Sequence, residues 1–129
     1  MEIIAALFVE SIDQRTVPGP ATRLDLGGVM FSLAAPSPPP VTVDPHLVVI
    51  VRCAADESGN DVLEVVFRDA AGEQVARNVQ PLQVEPGKFG RQLVKAELTF
   101  TEPGTIEATC RTSKGHPVVV PLTLLPALR

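Results

Sequence analysis

The sequence predicts an all-β fold, an antiparallel β-sandwich of about seven to nine strands with little or no helix. Three observations lead to this prediction. Short runs rich in Val, Leu, Ile and Thr alternate between apolar and polar residues with the period of two that is typical of strands. Gly, Pro, Asn and Asp separate these runs about every ten residues, as turn signals do. No stretch carries a convincing apolar period of an amphipathic helix.

The composition indicates one globular domain that spans residues 1–129, because 45% of the residues are apolar and no composition shift divides the chain. The net charge is −4 and there is no basic run, which argues against nucleic-acid binding. The apolar start MEIIAALFV has Glu2 where a signal peptide has Lys or Arg, and no apolar run reaches the roughly 18 residues of a membrane span. We therefore expect a cytoplasmic protein with no membrane association.

The first half of the chain contains a two-faced strand, a second strand and a proline-rich segment. Met1–Ile12 is apolar on both faces, and we prefer strand to helix there because its β-branched residues suit a strand. A connection over Asp13–Ala21 contains Pro18-Gly19-Pro20, and a strand over Thr22–Ala34 contains Gly27-Gly28, which predicts a bulge. Pro36–Pro45 reads as a stiff crossover between sheets, with a PxxP ligand as the alternative.

The second half is a series of alternating strands joined by short turns. His46–Ala55 is apolar on both faces and is predicted to be a central strand. Pro81 and Pro121 lack an N–H group, so the weak strands within Glu73–Val84 and the last strand should lie at an edge or a bulge. The last strand spans Val118–Leu125. Three other predicted strands have one wet face; they are centred on Leu63–Phe67, Gln92–Phe100 and Ile106–Cys110.

Two resemblances follow from this layout. Cys53 in a central strand and Cys110 in the penultimate strand resemble the intersheet cysteine positions of immunoglobulin-like sandwiches, although no Trp accompanies them. The layout is also similar to that of a family of small bacterial proteins of unknown function. The matching pieces are Ile3–Val9, Leu26-Gly27-Gly28, Pro103-Gly104-Thr105-Ile106 and Pro121-Leu122-Thr123-Leu124. This resemblance implies a fold and no activity.

The candidate chemistry of the chain is sparse. The alternation of their strands predicts that Cys53 and Cys110 both face inward. They could form a redox-active or structural disulfide, but we prefer to interpret them as two buried, reduced thiols. The acidic turn with Asp56, Glu57 and Asp61 is a weak candidate for a calcium site, because it lacks the spaced pattern of a calcium loop. No catalytic constellation and no cofactor motif occurs in the sequence, so we expect a protein that is not an enzyme and needs no cofactor.

The last strand carries more leucine than one sheet face can bury. Leu122, Leu124, Leu125 and Leu128 either complete the core or form a contact with a partner, and the sequence favours neither. We therefore expect a protein-binding or self-associating module, such as a homodimer. The alternative is a small-ligand or calcium-binding module that acts through the loops Asp56–Asp61 and Glu85–Gly90.

Overall fold

Two β-sheets share one hydrophobic core in the computed structural model, which describes residues 1–19 and 21–127. This part of the chain contains eleven strands and no helix. The strands are β1 (Glu2–Val17), β2 (Ala21–Met30), β3 (Ser32–Ala34), β4 (Val41–Val43), β5 (His46–Arg52), β6 (Asn60–Arg68), β7 (Gln74–Gln83), β8 (Phe89–Lys95), β9 (Leu98–Phe100), β10 (Gly104–Arg111) and β11 (Val118–Leu125).

The four-stranded sheet has the order β2-β1-β5-β8, and the five-stranded sheet has the order β3-β11-β10-β6-β7. All pairings in both sheets are antiparallel except the short parallel pairing of β3 with β11. A small third sheet joins β4 to β9. The order β1-β5-β8 opposite β11-β10-β6 matches the A-B-E and G-F-C strands of an immunoglobulin-like sandwich. The predicted all-β sandwich is confirmed.

The core is built from alternate residues of the two inner sheet faces. In β5, Leu47, Val49 and Val51 point inward, and in β10 Ile106 and Ala108 do the same. Each of these side chains is at most 2% exposed. The period-two pattern therefore placed the inner face of both strands correctly, because a strand can bury only every second residue on one side.

The strand boundaries near the start of the chain differ from the prediction. The expected connection over Asp13–Ala21 is wrong, because β1 continues to Val17 and pairs with β2 as a long hairpin. The turn prolines restrict only the hairpin tip, where Gly19 has a φ of 91°. We call residues 10–17 and 21–28 the hairpin arm.

Two predicted strands are each divided in two, which raises the number above the predicted seven to nine. The strand expected over Thr22–Ala34 ends at Met30, and β3 then joins the other sheet. The strand expected over Gln92–Phe100 is divided into β8 and β9. Alternation continues without interruption across the second break, so the pattern alone cannot reveal that the chain changes sheets there.

The proline positions agree with the expected edges. β7 contains Pro81 and lies at the edge of the five-stranded sheet. Pro121 lies in the part of β11 that precedes the short stretch covered by β3, Thr123–Leu125. The segment Pro36–Pro45 does cross from the five-stranded to the four-stranded sheet, and only Val41–Val43 within it forms a strand.

Candidate functional site

The acidic turn after β5 binds the start of the chain. The Met1 ammonium nitrogen lies 2.6 Å from Oε2 of Glu57 and 3.3 Å from Oδ2 of Asp61. The hydroxyl of Thr112 donates a hydrogen bond of 2.6 Å to the Met1 carbonyl oxygen, and the Met1 side chain belongs to the core cluster. Asp56 is exposed and takes no part in this contact. Two of the three predicted calcium ligands are thus ion-paired to the protein's own ammonium group.

The ammonium group and the two carboxylates shift each other's pKa values. The hydrogen bond with Glu57 raises the pKa of the Met1 ammonium above its ordinary value, and burial opposes that shift. The pKa of Glu57 is lowered by the ammonium and by the Ala54 N–H group, which donates to Oε1 at 3.0 Å. Burial acts to raise the pKa of Asp61, but hydrogen bonds led by the Val62 N–H group outweigh it, and the net shift is downward.

The geometry does not assemble a cation site at this turn. Within residues 1–19 and 21–127, no three His, Cys, Asp or Glu side chains lie close enough together to hold a metal ion. The two loops that we considered for ligand binding do meet, since the Val84 N–H group donates to the Gly59 carbonyl and the Gly87 N–H group to the Cys53 carbonyl. These backbone contacts and the ion pair give the acidic turn a structural use.

The two cysteines lie in the shared core. Cys53 follows β5, Cys110 lies in β10, and neither side chain is measurably exposed. Both are free thiols. Burial raises the pKa of the Cys110 thiol to about 11, so its reactive thiolate form is scarce at neutral pH.

The leucines of the last strand divide between the two alternatives. Leu122 and Leu124 are at most 1% exposed and complete the core, which removes them from the candidate interface. Leu125 is 45% exposed on the opposite face of β11, because successive side chains of a strand point to opposite sides. Leu128 lies outside the described residues.

Leu125 belongs to a larger apolar surface that the sequence did not reveal. The outer face of the five-stranded sheet carries four aliphatic side chains that are between 45% and 49% exposed. They are Val62, Val79, Val119 and Leu125, and we call this surface the valine face. The only sequence signal was valine at positions that alternate with inward residues, which resembles ordinary strand composition.

The charged side chains of the valine face are largely neutralised within it. Oε2 of Glu64 in β6 lies 2.7 Å from Nη2 of Arg77 in β7, and its Oε1 lies 3.9 Å from Nε of Arg111 in β10. Arg68 and Glu107 occupy neighbouring positions in the β6–β10 register. The face therefore has both signs of charge at short range, with no single-sign field across it.

The outer face of the four-stranded sheet differs from the valine face because the hairpin arm lies over part of it, and the two line a common cavity. In a flat sheet, Gln14 and Ile50 would be nine residue steps apart along the strands, or roughly 30 Å. Instead they line one open cavity of about 680 Å³. Val48 on this outer face is only 1% exposed, as expected beneath such a cover. The register of the hairpin is irregular at Glu10 and Gly28, which are unpaired, and Gly28 has a φ of 63°.

No protein-family model matches the chain, and no curated protein matches it either. No helix in the described residues is both long and apolar enough to cross a membrane. The binding surfaces therefore have to be interpreted from their own geometry.

Proposed function

We propose that this protein is a non-enzymatic β-sandwich that acts through protein–protein association, and that its first partner is a second copy of itself. The valine face is the contact in this proposal. The observation that carries the proposal is that four of the ten large apolar residues exposed in the described chain lie on that one sheet face. Apolar side chains that share a face and are bordered by polar residues are typical of protein–protein contact surfaces.

The size of the face supports a modest dimer. Five strands spaced about 4.8 Å apart and roughly eight residues long give a projected area of about 650 Å². Stable complexes bury about 800 Å² per partner, so the face is close to the size that a specific contact needs. Two sheets that pack face to face through branched side chains form the same kind of layer that exists inside the sandwich.

The charge pattern also suits a two-fold contact. A two-fold axis brings the same patch of both copies together, so a patch with one sign of charge would repel itself. The valine face instead combines Glu64 and Glu107 with Arg68, Arg77 and Arg111, in a chain whose net charge is −4. Glutamates of one copy can thus lie opposite arginines of the other.

A bacterial origin, membership of the small bacterial family and a cytoplasmic location belong to the same proposal. The family assignment rests on the four sequence pieces that carry the resemblance. The cytoplasmic location is supported by Cys53 and Cys110, because a reducing compartment keeps such thiols unpaired. The proposal includes no role for nucleic acid, since the chain is acidic and has no basic stripe.

Sedimentation velocity of paired variants tests the proposed contact. Val119→Glu places a charge on the valine face, while Val29→Glu places one at an exposed valine of the four-stranded sheet. We expect the unmodified chain and the Val29 variant to dimerise as concentration rises from about 1 to 300 µM, and the Val119 variant to stay monomeric. Equal behaviour of the two variants, or an unmodified chain that stays monomeric throughout, would refute the proposal.

A further inference from the structure

The cavity beneath the hairpin arm combines an apolar floor with unpaired positive charge. We call it the arm groove; its lining consists of Gln14, Thr22, Arg23, Leu24, Ile50, Phe89, Gly90 and Arg91. Phe89 is 70% exposed, which is unusual for a phenylalanine in a strand. The lining includes no acidic side chain, although acids outnumber bases in the chain by fifteen to eleven.

The two arginines of the groove are free to bind an anion. The Arg23 side chain donates a hydrogen bond of 3.3 Å to the Thr22 carbonyl oxygen, and the Arg91 side chain makes no hydrogen bond within the described residues. Every ion pair of the described residues uses other cations: the Met1 ammonium, Arg15, Arg52, Arg77, Lys88 and Arg111. An arginine guanidinium forms two parallel hydrogen bonds with a carboxylate, so this ligand group suits the groove well.

We infer that the arm groove binds an extended segment of a partner protein that carries acidic side chains beside an apolar one. Carboxylates of the segment pair with Arg23 and Arg91, and its apolar side chain packs against Leu24, Ile50 and Phe89. The floor of the groove is a sheet whose edge strand is β8. The Gln80 side chain donates to the Leu93 carbonyl of that edge, so an extended segment can form backbone hydrogen bonds at the Phe89–Arg91 end instead. Two cations and an apolar floor fit a peptide better than a nucleic-acid backbone, which needs a longer basic track.

This inference does not depend on self-association, because the groove and the valine face lie on the outer sides of different sheets. Failure of either proposal leaves the other intact. Dimerisation through the valine face is tested by the sedimenting mass of the protein, and binding in the groove is tested by which peptides the protein selects.

Selection from a displayed library of random heptapeptides tests the inference on the full-length chain. We expect the selected peptides to share Asp or Glu next to Leu, Ile or Phe. The double variant Arg23→Glu with Arg91→Glu should select peptides with Lys or Arg instead. The control Arg68→Glu changes an exposed arginine on the other sheet and should select the same acidic peptides as the unmodified chain.

Fluorescence anisotropy with one labelled probe, a peptide that alternates Glu and Leu, gives the quantitative test. The double variant should bind this probe about tenfold more weakly at 50 mM salt, and the difference should shrink at 500 mM salt. Circular dichroism melts that match the unmodified chain confirm that the variants fold. The inference is overturned by a selection without acidic residues, by an unchanged selection with the double variant, or by tighter binding of a single-stranded oligonucleotide than of the probe.

Discussion

The leucines of β11 allow a matched test of which residues form the core. Leu122→Ala removes a fully buried side chain, and Leu125→Ala removes one that is 45% exposed on the other face of the same strand. A buried Leu→Ala change costs about 3 kcal/mol, whereas the half-exposed position should cost about 1 kcal/mol. With 129 residues, the unfolding entropy of about 0.27 kcal/mol/K converts these costs into losses in Tm of about 11 °C and about 4 °C.

Urea denaturation at low protein concentration measures both values without a contribution from self-association. The chain has no Trp or Tyr, so far-ultraviolet circular dichroism is a better probe than fluorescence. An unchanged urea dependence would show that the variants unfold from the same native state. If the two substitutions destabilise the protein equally, the assignment of Leu122 to the core and Leu125 to the surface is refuted.

Two further predictions concern the ion pair at the start of the chain and the core thiols. The pKa of the Met1 ammonium is raised in the folded protein, so the stability that this group contributes is present below pH 8.0 and is lost as pH rises further. The pKa values of Glu57 and Asp61 are lowered, so the stability that these carboxylates contribute is present above pH 4.5 and is lost as pH falls. The free energy of unfolding, measured from pH 3 to 10, should therefore have a maximum between these limits. The maximum should flatten in Glu57→Gln but not in the exposed control Glu102→Gln, and identical pH profiles of the two variants would refute the ion pair. A thiol reagent should label Cys110 at pH 8 at least about a hundred times more slowly in native protein than in urea, because burial raises its pKa to about 11; rapid native labelling would contradict the buried position.

The sequence was sufficient to predict the layers and the inward residues, because both follow from local alternation. Val49 in β5 and Ala108 in β10 point inward as their parity requires. The end of a strand was harder to predict: Asp13–Ala21 contains turn residues, yet most of it pairs as a hairpin. Whether such residues form a turn or a strand depends on the partner strand, which local composition does not specify.

The surfaces were largely beyond sequence reasoning, because they depend on contacts between distant residues. Glu57 resembled a metal ligand until the structure brought the Met1 ammonium to it from 56 positions away. The arm groove is formed by the hairpin arm together with β5 and β8, and its arginines are more than sixty residues apart in sequence. The sequence predicted a bulge at Gly27-Gly28, and Gly28 is indeed unpaired in the register, but only the fold brings the hairpin that contains this pair close to Phe89.

Self-association through the valine face is the central claim, and intermolecular nuclear Overhauser effects test it most directly. A mixture of ¹³C-methyl-labelled and unlabelled chains at about 300 µM reports only contacts between copies. We expect intermolecular cross-peaks at the methyl groups of Val62, Val79 and Val119, and none at Val29. Cross-peaks confined to other residues, or their complete absence in a chain that sediments at 13.7 kDa, would contradict it.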